Sequence, residues 1–245
     1  AMGLGGTDVA REAASLVLLD DNFATIVVAV REGRRIYDNI RKFVRYSLTG
    51  NTGEIWLIFL APFFGLPIPL LPIHILWVNL VTDSLPGIAL AAEPAEADIM
   101  RRPPRPPQES LFAGMLTHIL GMGLLMAVLC LLLYAEAFTS GRSHAQTMVF
   151  TALTLSQILY ALAIRSESQS LFCIGVRSNV PMLGTVLFTL LLQMLIVYVP
   201  VLNVVFKTEP LSALDLMLCV ATAVVVFGVA EMEKFVRCRS ARALV

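Results

Sequence analysis

Within a hydrophobic run from about Ile73 to Ala92 stands the segment Asn79-Leu80-Val81-Thr82-Asp83-Ser84-Leu85-Pro86. Asn79, Thr82 and Asp83 are spaced i, i+3, i+4, so a helix places all three on one face. Pro86 has no N–H, so the carbonyl of Thr82, four residues earlier, loses its helical partner. A carboxylate, an amide, a hydroxyl and a freed carbonyl then converge at one depth, and all are oxygen ligands suited to a hard cation. The competing reading is a polar helix–helix contact with a proline kink. An ionisable residue at such a depth in a membrane is costly unless paired or solvated, which favours a functional role.

A second polar patch is Asn51-Thr52-Gly53-Glu54. Asn51 and Glu54 are i, i+3 and share a face. Two carboxylates on adjacent antiparallel spans, Glu54 and Asp83, repel unless a cation or protons lie between them. Gln157, in a later apolar run, adds an uncharged amide oxygen. Glu136, Asp215 and Glu231 fall at the ends of apolar runs, where interfacial solvation is the plain reading. Gly53 and Pro62 are expected to loosen the first helix, and Pro86 and Gly87 the second, as in membrane helices whose broken backbone lines an ion cavity.

The elements that must hold these residues follow from composition. The 245 residues are 57% hydrophobic and 15% charged, with a mean hydropathy of +0.78. A soluble domain carries about 25% charge, so this is a membrane chain. Its formal net charge is zero, and no nucleic-acid partner is expected; the lipid bilayer is. The four cysteines, at 130, 173, 219 and 238, have no metal-like spacing and read as buried free thiols. His74, His118 and His144 are scattered and read as packing or interfacial residues.

Residues 1–22 read as a short soluble piece, the remnant of a domain entered partway, with a helical turn or two from Asp8 to Ser15. Ser15–Leu19 has the look of a buried strand, and Asp20-Asp21-Asn22 of a turn and helix cap. The glycines at 3, 5 and 6 form a tight turn, since no phosphate-binding glycine motif surrounds them. From Phe23 the apolar spacing is helical and continues to about Ala61. A helix of that length spans about 60 Å, twice the hydrocarbon thickness, so residues 23–45 read as a stalk in water.

Hydropathy then marks six spans at about 46–65, 73–92, 111–135, 145–164, 180–200 and 211–231. With the N-terminus inside, only Arg142 and Lys207 lie in outer loops, so sixteen of the eighteen Lys and Arg fall on the inner side. That bias predicts six crossings with both ends cytoplasmic. Arg101-Arg102-Pro103-Pro104-Arg105-Pro106-Pro107 reads as a stiff, extended inner loop beside anionic headgroups.

At this point the chain resembles the C-terminal part of a P-type cation-transporting ATPase of the calcium-pump-like subgroup. The resemblance rests on several separate stretches. Ala1-Met2-Gly3 with Gly6-Thr7-Asp8-Val9-Ala10 resembles the end of the phosphorylation domain, an α/β unit. Leu19-Asp20-Asp21-Asn22-Phe23, Glu32-Gly33-Arg34 and Ile36-Tyr37-Asp38-Asn39-Ile40 resemble the stalk. Leu76-Trp77-Val78-Asn79-Leu80-Val81-Thr82-Asp83 resembles the sixth transmembrane helix. Pro94 through Ile99-Met100, and Arg102-Pro103-Pro104-Arg105, resemble the loop after it.

The resemblance implies a mainly α fold: a six-helix transmembrane bundle equivalent to helices five to ten, a long stalk helix and a short α/β remnant. It implies that Glu54, Asn79, Thr82 and Asp83 ligate the transported cation, with Asn51 close by. Gln157 appears where two-site calcium pumps carry a glutamate, so one ion per cycle is expected. The implied function is ATP-driven calcium export across a bacterial plasma membrane. Manganese or sodium transport, or a non-enzymatic membrane module, are the alternatives. Magnesium and ATP would act only through domains this chain lacks, since neither the phosphorylated aspartate motif nor the nucleotide domain is present. The missing N-terminal part of the pump is the expected partner.

Overall fold

The computed structural model describes residues 1–106, 108–166 and 169–243, and of residues 176 and 237–243 the backbone only. Pro107 of the inner loop, and the side chains of Arg237, Cys238, Arg239 and Arg242, lie outside the described residues.

The described chain is mainly helical. Helix α1 (Asp8–Ala13) is capped by the Thr7 hydroxyl. Ser15–Leu19 does not form the expected strand. Leu18 makes one isolated bridge with Met2, while Leu16 and Leu19 are exposed. Residues 1–3 lie beside this run, with Ala1 donating to Leu16, and Leu18 and Gly3 closing the pairing, and so short a partner gives a single bridge rather than a ladder. The glycine turn beside it is tight, and Asp21 accepts from the amides of Leu4 (2.9 Å) and Gly5 (2.7 Å). Those bonds, Leu4 foremost, hold the Asp21 carboxyl below the ordinary aspartate range.

Helix α2 (Ala24–Leu60) runs 37 residues in one piece, about 55 Å at the usual rise. Gly53 does not break it. Instead Gly53 and Gly123 let two helices touch: a side-chain carbon on Gly123 would stand 2.7 Å from Thr52, the close approach that small residues permit between membrane helices. The break comes after Leu60, where Ala61–Phe64, with Pro62, tightens into a 3-10 turn.

The next span is not one regular helix. It comprises α3 (Pro72–Trp77), a π-turn over Val78–Thr82 and α4 (Ser84–Ala91). Then follow α5 (Leu116–Thr139), α6 (Ala145–Ala163), α7 (Leu171–Ile174), α8 (Val180–Tyr198), α9 (Pro200–Phe206) and α10 (Ala213–Ala243). Among the described residues, five helical stretches are long and apolar enough to cross a membrane: Pro72–Ala91, Leu116–Thr139, Ala145–Ala163, Val180–Tyr198 and Ala213–Val236. They answer to five of the six expected spans. The sixth, 46–65, is the second half of α2, where Thr49, Asn51, Thr52 and Glu54 dilute the apolar run.

Helix α6 is the axis of the bundle. Nearly all its side chains are buried, on every side, as befits a helix enclosed by others. His74 packs within this core, stacked on Phe150 (centres 4.4 Å apart) and bonded through Nε2 to the Phe206 carbonyl at 2.8 Å. Cys130 and Cys219 are buried free thiols as expected; Cys173, on the short surface helix α7, is exposed.

At the end of the bundle where α6 stops, the loop after α4 is clamped to α2. Lys42 pairs with Glu96 (3.0 Å), and Arg102 with Glu96 (2.5 Å) and Asp38 (2.8 Å). Arg105 lies over the Tyr37 ring and reaches Asp38 at 3.2 Å. These two arginines, expected beside lipid headgroups, are engaged by protein carboxylates instead. Burial pushes the Glu96 carboxyl up, but Lys42 and then Arg102 outweigh it and hold it below 4.5. A depressed carboxyl stabilises the fold above its unfolded value, and the stability is lost as pH falls through the folded one. We therefore expect thermal stability to fall more steeply on acidification below 4.5 in wild type than in Glu96→Gln; parallel melting curves would refute the clamp.

Candidate cation-binding site

Helix α2, the π-turn and α6 bring the two polar patches together. In the π-turn the Asp83 amide bonds to the Val78 carbonyl (2.9 Å), five residues back. Such a turn inserts an extra residue, and it is a frequent feature of functional sites. Thr82 and Asp83 emerge from it buried.

Glu54 sits opposite on α2, 4% exposed. Its two oxygens are held separately, Oε2 by the Asn79 amide at 3.0 Å and Oε1 by the Gln157 amide at 3.2 Å. Asn79 also donates to the Ile75 carbonyl at 3.0 Å. Both carboxylate oxygens of Asp83 are buried with no hydrogen-bond partner, as are the Thr82 hydroxyl, the Gln157 amide oxygen and the Thr154 hydroxyl. Buried oxygens are nearly always satisfied. Several orphaned together, two of them on a carboxylate, form a set of electron-rich ligands with no donor facing them.

Gly50 brings these groups close. A side-chain carbon there would lie 2.9 Å from Gln157 Nε2 and 3.4 Å from Asp83 Oδ1. The absent side chain lets α2 approach α6 and the π-turn at one point. Gly87 plays a different part from the loosening expected of it: it accommodates the Phe43 ring, 2.6 Å from where its side chain would begin.

The Thr82 carbonyl is indeed freed, but it is not turned over to the site. The Tyr46 hydroxyl donates to it at 2.7 Å. Asn51 stands apart as well: it is half-buried, and its amide reaches Ser47 Oγ at 3.5 Å. So Glu54, Asn79 and Gln157 are joined by hydrogen bonds, Thr82 and Asp83 contribute unpartnered oxygens nearby, and Asn51 is not tied to them.

Among the described residues no group of three or more His, Cys, Asp or Glu is placed to hold a metal. Two carboxylates with neutral oxygens, without sulfur or imidazole, suit a hard cation and not a softer transition metal. Sequence reasoning missed Gly50, Tyr46 and Thr154. Thr154 had a visible signal, its i, i+3 spacing from Gln157; the other two had none, because the close approach involves helices far apart in sequence.

A family model described as Cation transporting ATPase, C-terminus, matches residues 67–236. The Calcium-transporting ATPase of Bacillus subtilis (strain 168) is 43% identical over 228 residues, which covers 91% of this chain and 26% of that protein. Calcium-transporting ATPase type 2C member 2 of Mus musculus is 38% identical over 238 residues, 96% of this chain and 25% of that protein. The chain thus spans about a quarter of the length of the curated relatives it matches.

Proposed function

The chain belongs to the P-type cation-transporting ATPases, matching their C-terminal part, and from that premise we propose that it is the membrane portion of an ATP-driven pump that exports calcium, one ion per cycle. The observation that carries the reading is the buried Asp83 carboxylate, both oxygens unpartnered, beside a Glu54 held open by two amides. Two carboxylates balance the charge of a single divalent cation. Gln157 brings no third charge: its NH2 donates to Glu54 and its oxygen is neutral, so a second divalent ion would enter without a charge from this chain to balance it.

In this reading Glu54, Asn79, Thr82, Asp83 and Gln157 surround the ion, with Asn51 at the margin. Residues 1–22 belong to the phosphorylation domain, 23–45 to the stalk, and 46–245 to the transport domain. The second half of α2 is then a sixth crossing: it brings Glu54 to the site, and its polar residues lower its hydropathy. Both termini and the Arg165 end of the bundle face the cytoplasm of a bacterial cell. Magnesium and ATP act on the portion outside this chain. Movement there is carried along α2, which bears the loop clamp at Asp38 and Lys42 and the ion ligand at Glu54 on one rod. A ligand that binds one conformation more tightly than another is what lets such a movement do transport work.

The test is ion-stimulated uptake by inside-out vesicles carrying the intact protein and supplied with ATP. Calcium is expected to accumulate and to drive phosphorylation at lower concentration than manganese or sodium. Manganese or sodium preference would replace the ion but keep the pump. A protein that accumulates none of them would leave the non-enzymatic module as the reading.

A further inference from the structure

Three aromatic rings are stacked between the Arg165 end of the bundle and the site. His118 lies on Tyr160 with centres 6.1 Å apart and 25° between planes, and Tyr160 on Tyr46 at 6.3 Å and 23°. Tyr46 is the residue that holds the Thr82 carbonyl. A chain of hydrogen bonds runs the same way. Glu233 Oε2 meets His118 Nδ1 at 2.7 Å, His118 Nε2 meets the Tyr160 hydroxyl at 2.8 Å, and that hydroxyl meets Thr49 Oγ1 at 3.2 Å. Four helices, α10, α5, α6 and α2, each contribute one member. At its outer end lies a cavity of about 20 Å³, lined by Arg45, His118, Tyr160, Ser166, Glu233 and Lys234, room for about one water.

The direction of the bonds is constrained. Thr49 gives its only hydroxyl hydrogen to the Arg45 carbonyl at 2.7 Å, so toward Tyr160 it can only accept. Tyr160 has one hydrogen, and His118 and Thr49 are both placed to take it. When His118 is neutral, with Nδ1–H donating to Glu233, its bare Nε2 takes the Tyr160 hydrogen. When a second proton sits on Nε2, both ring nitrogens donate, and the Tyr160 hydrogen turns to Thr49. Thr49 adjoins Gly50, the residue against which Gln157 and Asp83 are packed. One proton gained at the outer end therefore reverses an O–H dipole on the site side and adds a positive charge, and both disfavour a bound cation.

We propose that His118 is a positioning residue whose protonation lowers the cation affinity of the site through Tyr160 and Thr49. The proposal rests on the reading of Glu54 and Asp83 as cation ligands. The other charged or titratable groups around His118 are Arg41, Arg45 and Tyr46 of α2, Tyr160 of α6, and Glu231, Glu233 and Lys234 of α10. Of these, Lys234 is paired with Glu231 at 2.5 Å, and Arg41 donates to the Ala113 carbonyl at 3.1 Å. Glu233 bonds to the ring at Nδ1 and Tyr160 at Nε2.

The experiment measures calcium binding to the intact protein between about pH 6 and pH 8, the range in which imidazoles ordinarily change charge. It compares wild type with His118→Gln, Tyr160→Phe and Glu233→Gln. The site carboxylates give every variant some pH dependence, so the diagnostic quantity is the slope of the logarithm of half-saturation against pH. In His118→Gln the slope is expected to be shallower by up to about one proton. Tyr160→Phe keeps the ring stack and loses only the hydroxyl, so the dipole is gone while the charge on His118 remains; a smaller shallowing is expected, and it carries the test if His118→Gln does not fold. Glu233→Gln removes the anion beside the imidazolium, so the steep region moves to lower pH. Slopes equal to wild type in His118→Gln or Tyr160→Phe, or an unmoved profile in Glu233→Gln, overturn the proposal while leaving the cation site standing. A wild-type protein that binds no calcium, manganese or sodium at any pH overturns both.

Discussion

Asparagine in place of Asp83 is expected to abolish calcium-dependent phosphorylation of the intact protein at concentrations that saturate wild type, while leaving the protein at least as resistant to heat. Both halves of the result follow from the same two atoms. The Asp83 oxygens are buried and accept no hydrogen bond, so no donor is abandoned when the charge is removed. The neighbouring Glu54 carboxylate repels Asp83, so a neutral amide relieves strain in the empty site. Toward a cation the balance is opposite. A pair of unit charges about 4 Å apart at an effective dielectric near 20 attracts by about 4 kcal/mol, and a divalent ion doubles the attraction. Desolvation takes back part of this. A loss of at least about a hundredfold in affinity, about 2.7 kcal/mol, is the expected remainder. Unchanged calcium dependence in Asp83→Asn would remove this residue from the site. A large drop in melting temperature would make it a structural group.

The largest effect on stability is expected at Glu93, where the chain leaves α4. Arg165 is fully buried beneath it and reaches Glu93 Oε1 at 2.8 Å and Oε2 at 3.1 Å. Arg165 also holds Ser178 and the Gly175 carbonyl. The Asn179 amide adds a 2.7 Å bond to Glu93, and Asn39 of α2 holds the Glu93 carbonyl at 2.8 Å. Three distant segments thus meet on one residue, two of them on its carboxylate and one on its main-chain carbonyl. Removing one partner of a buried pair leaves the other charge uncompensated, typically at a cost of about 3–5 kcal/mol. Glu93→Ala is therefore expected to lower the unfolding temperature in detergent sharply. Replacing both Glu93 and Arg165 by methionine is expected to recover much of the loss, since a well-packed apolar pair is often nearly neutral. Equal damage from the single and double variants would show that the bonds to Ser178 and Asn179 matter more than the charges.

The carboxylates and their partners were visible in the sequence because they break a pattern: Glu54 and Asp83 are charges in apolar runs. Gln157 was visible as an amide in a third. Helix α2 could be followed from its spacing for nearly its whole length, and five spans emerge within a few residues of where hydropathy put them. What stayed hidden depends on contacts between segments. Hydropathy marked 46–65 as a span, but it sums a helix all round and does not say that Thr49 and Glu54 of this stretch are turned inward. Gly53 and Gly87 looked like weak points because a glycine alone says nothing of what fills its space; Gly123 and Phe43 supply that. Arg102 and Arg105 looked like lipid contacts until Asp38 and Glu96 were seen across the fold. The strand expected at Ser15–Leu19 had only residues 1–3 to pair with, too short a mate for more than one bridge.

The wide turn at Val78–Thr82 has a consequence for how the Asp83 carboxylate is aimed. An α-helix advances about 100° per residue, so one residue more or less before Asp83 swings it around the cylinder by roughly a quarter of a circle. Here the surplus residue is taken up in a single loose coil, and no bulky neighbour is needed to rotate the acid. Aim in this span is a matter of arithmetic, set by how many residues the coil contains. Two chains with the same hydropathy trace, differing by one residue there, would point the same acid at different neighbours, about a quarter-turn apart.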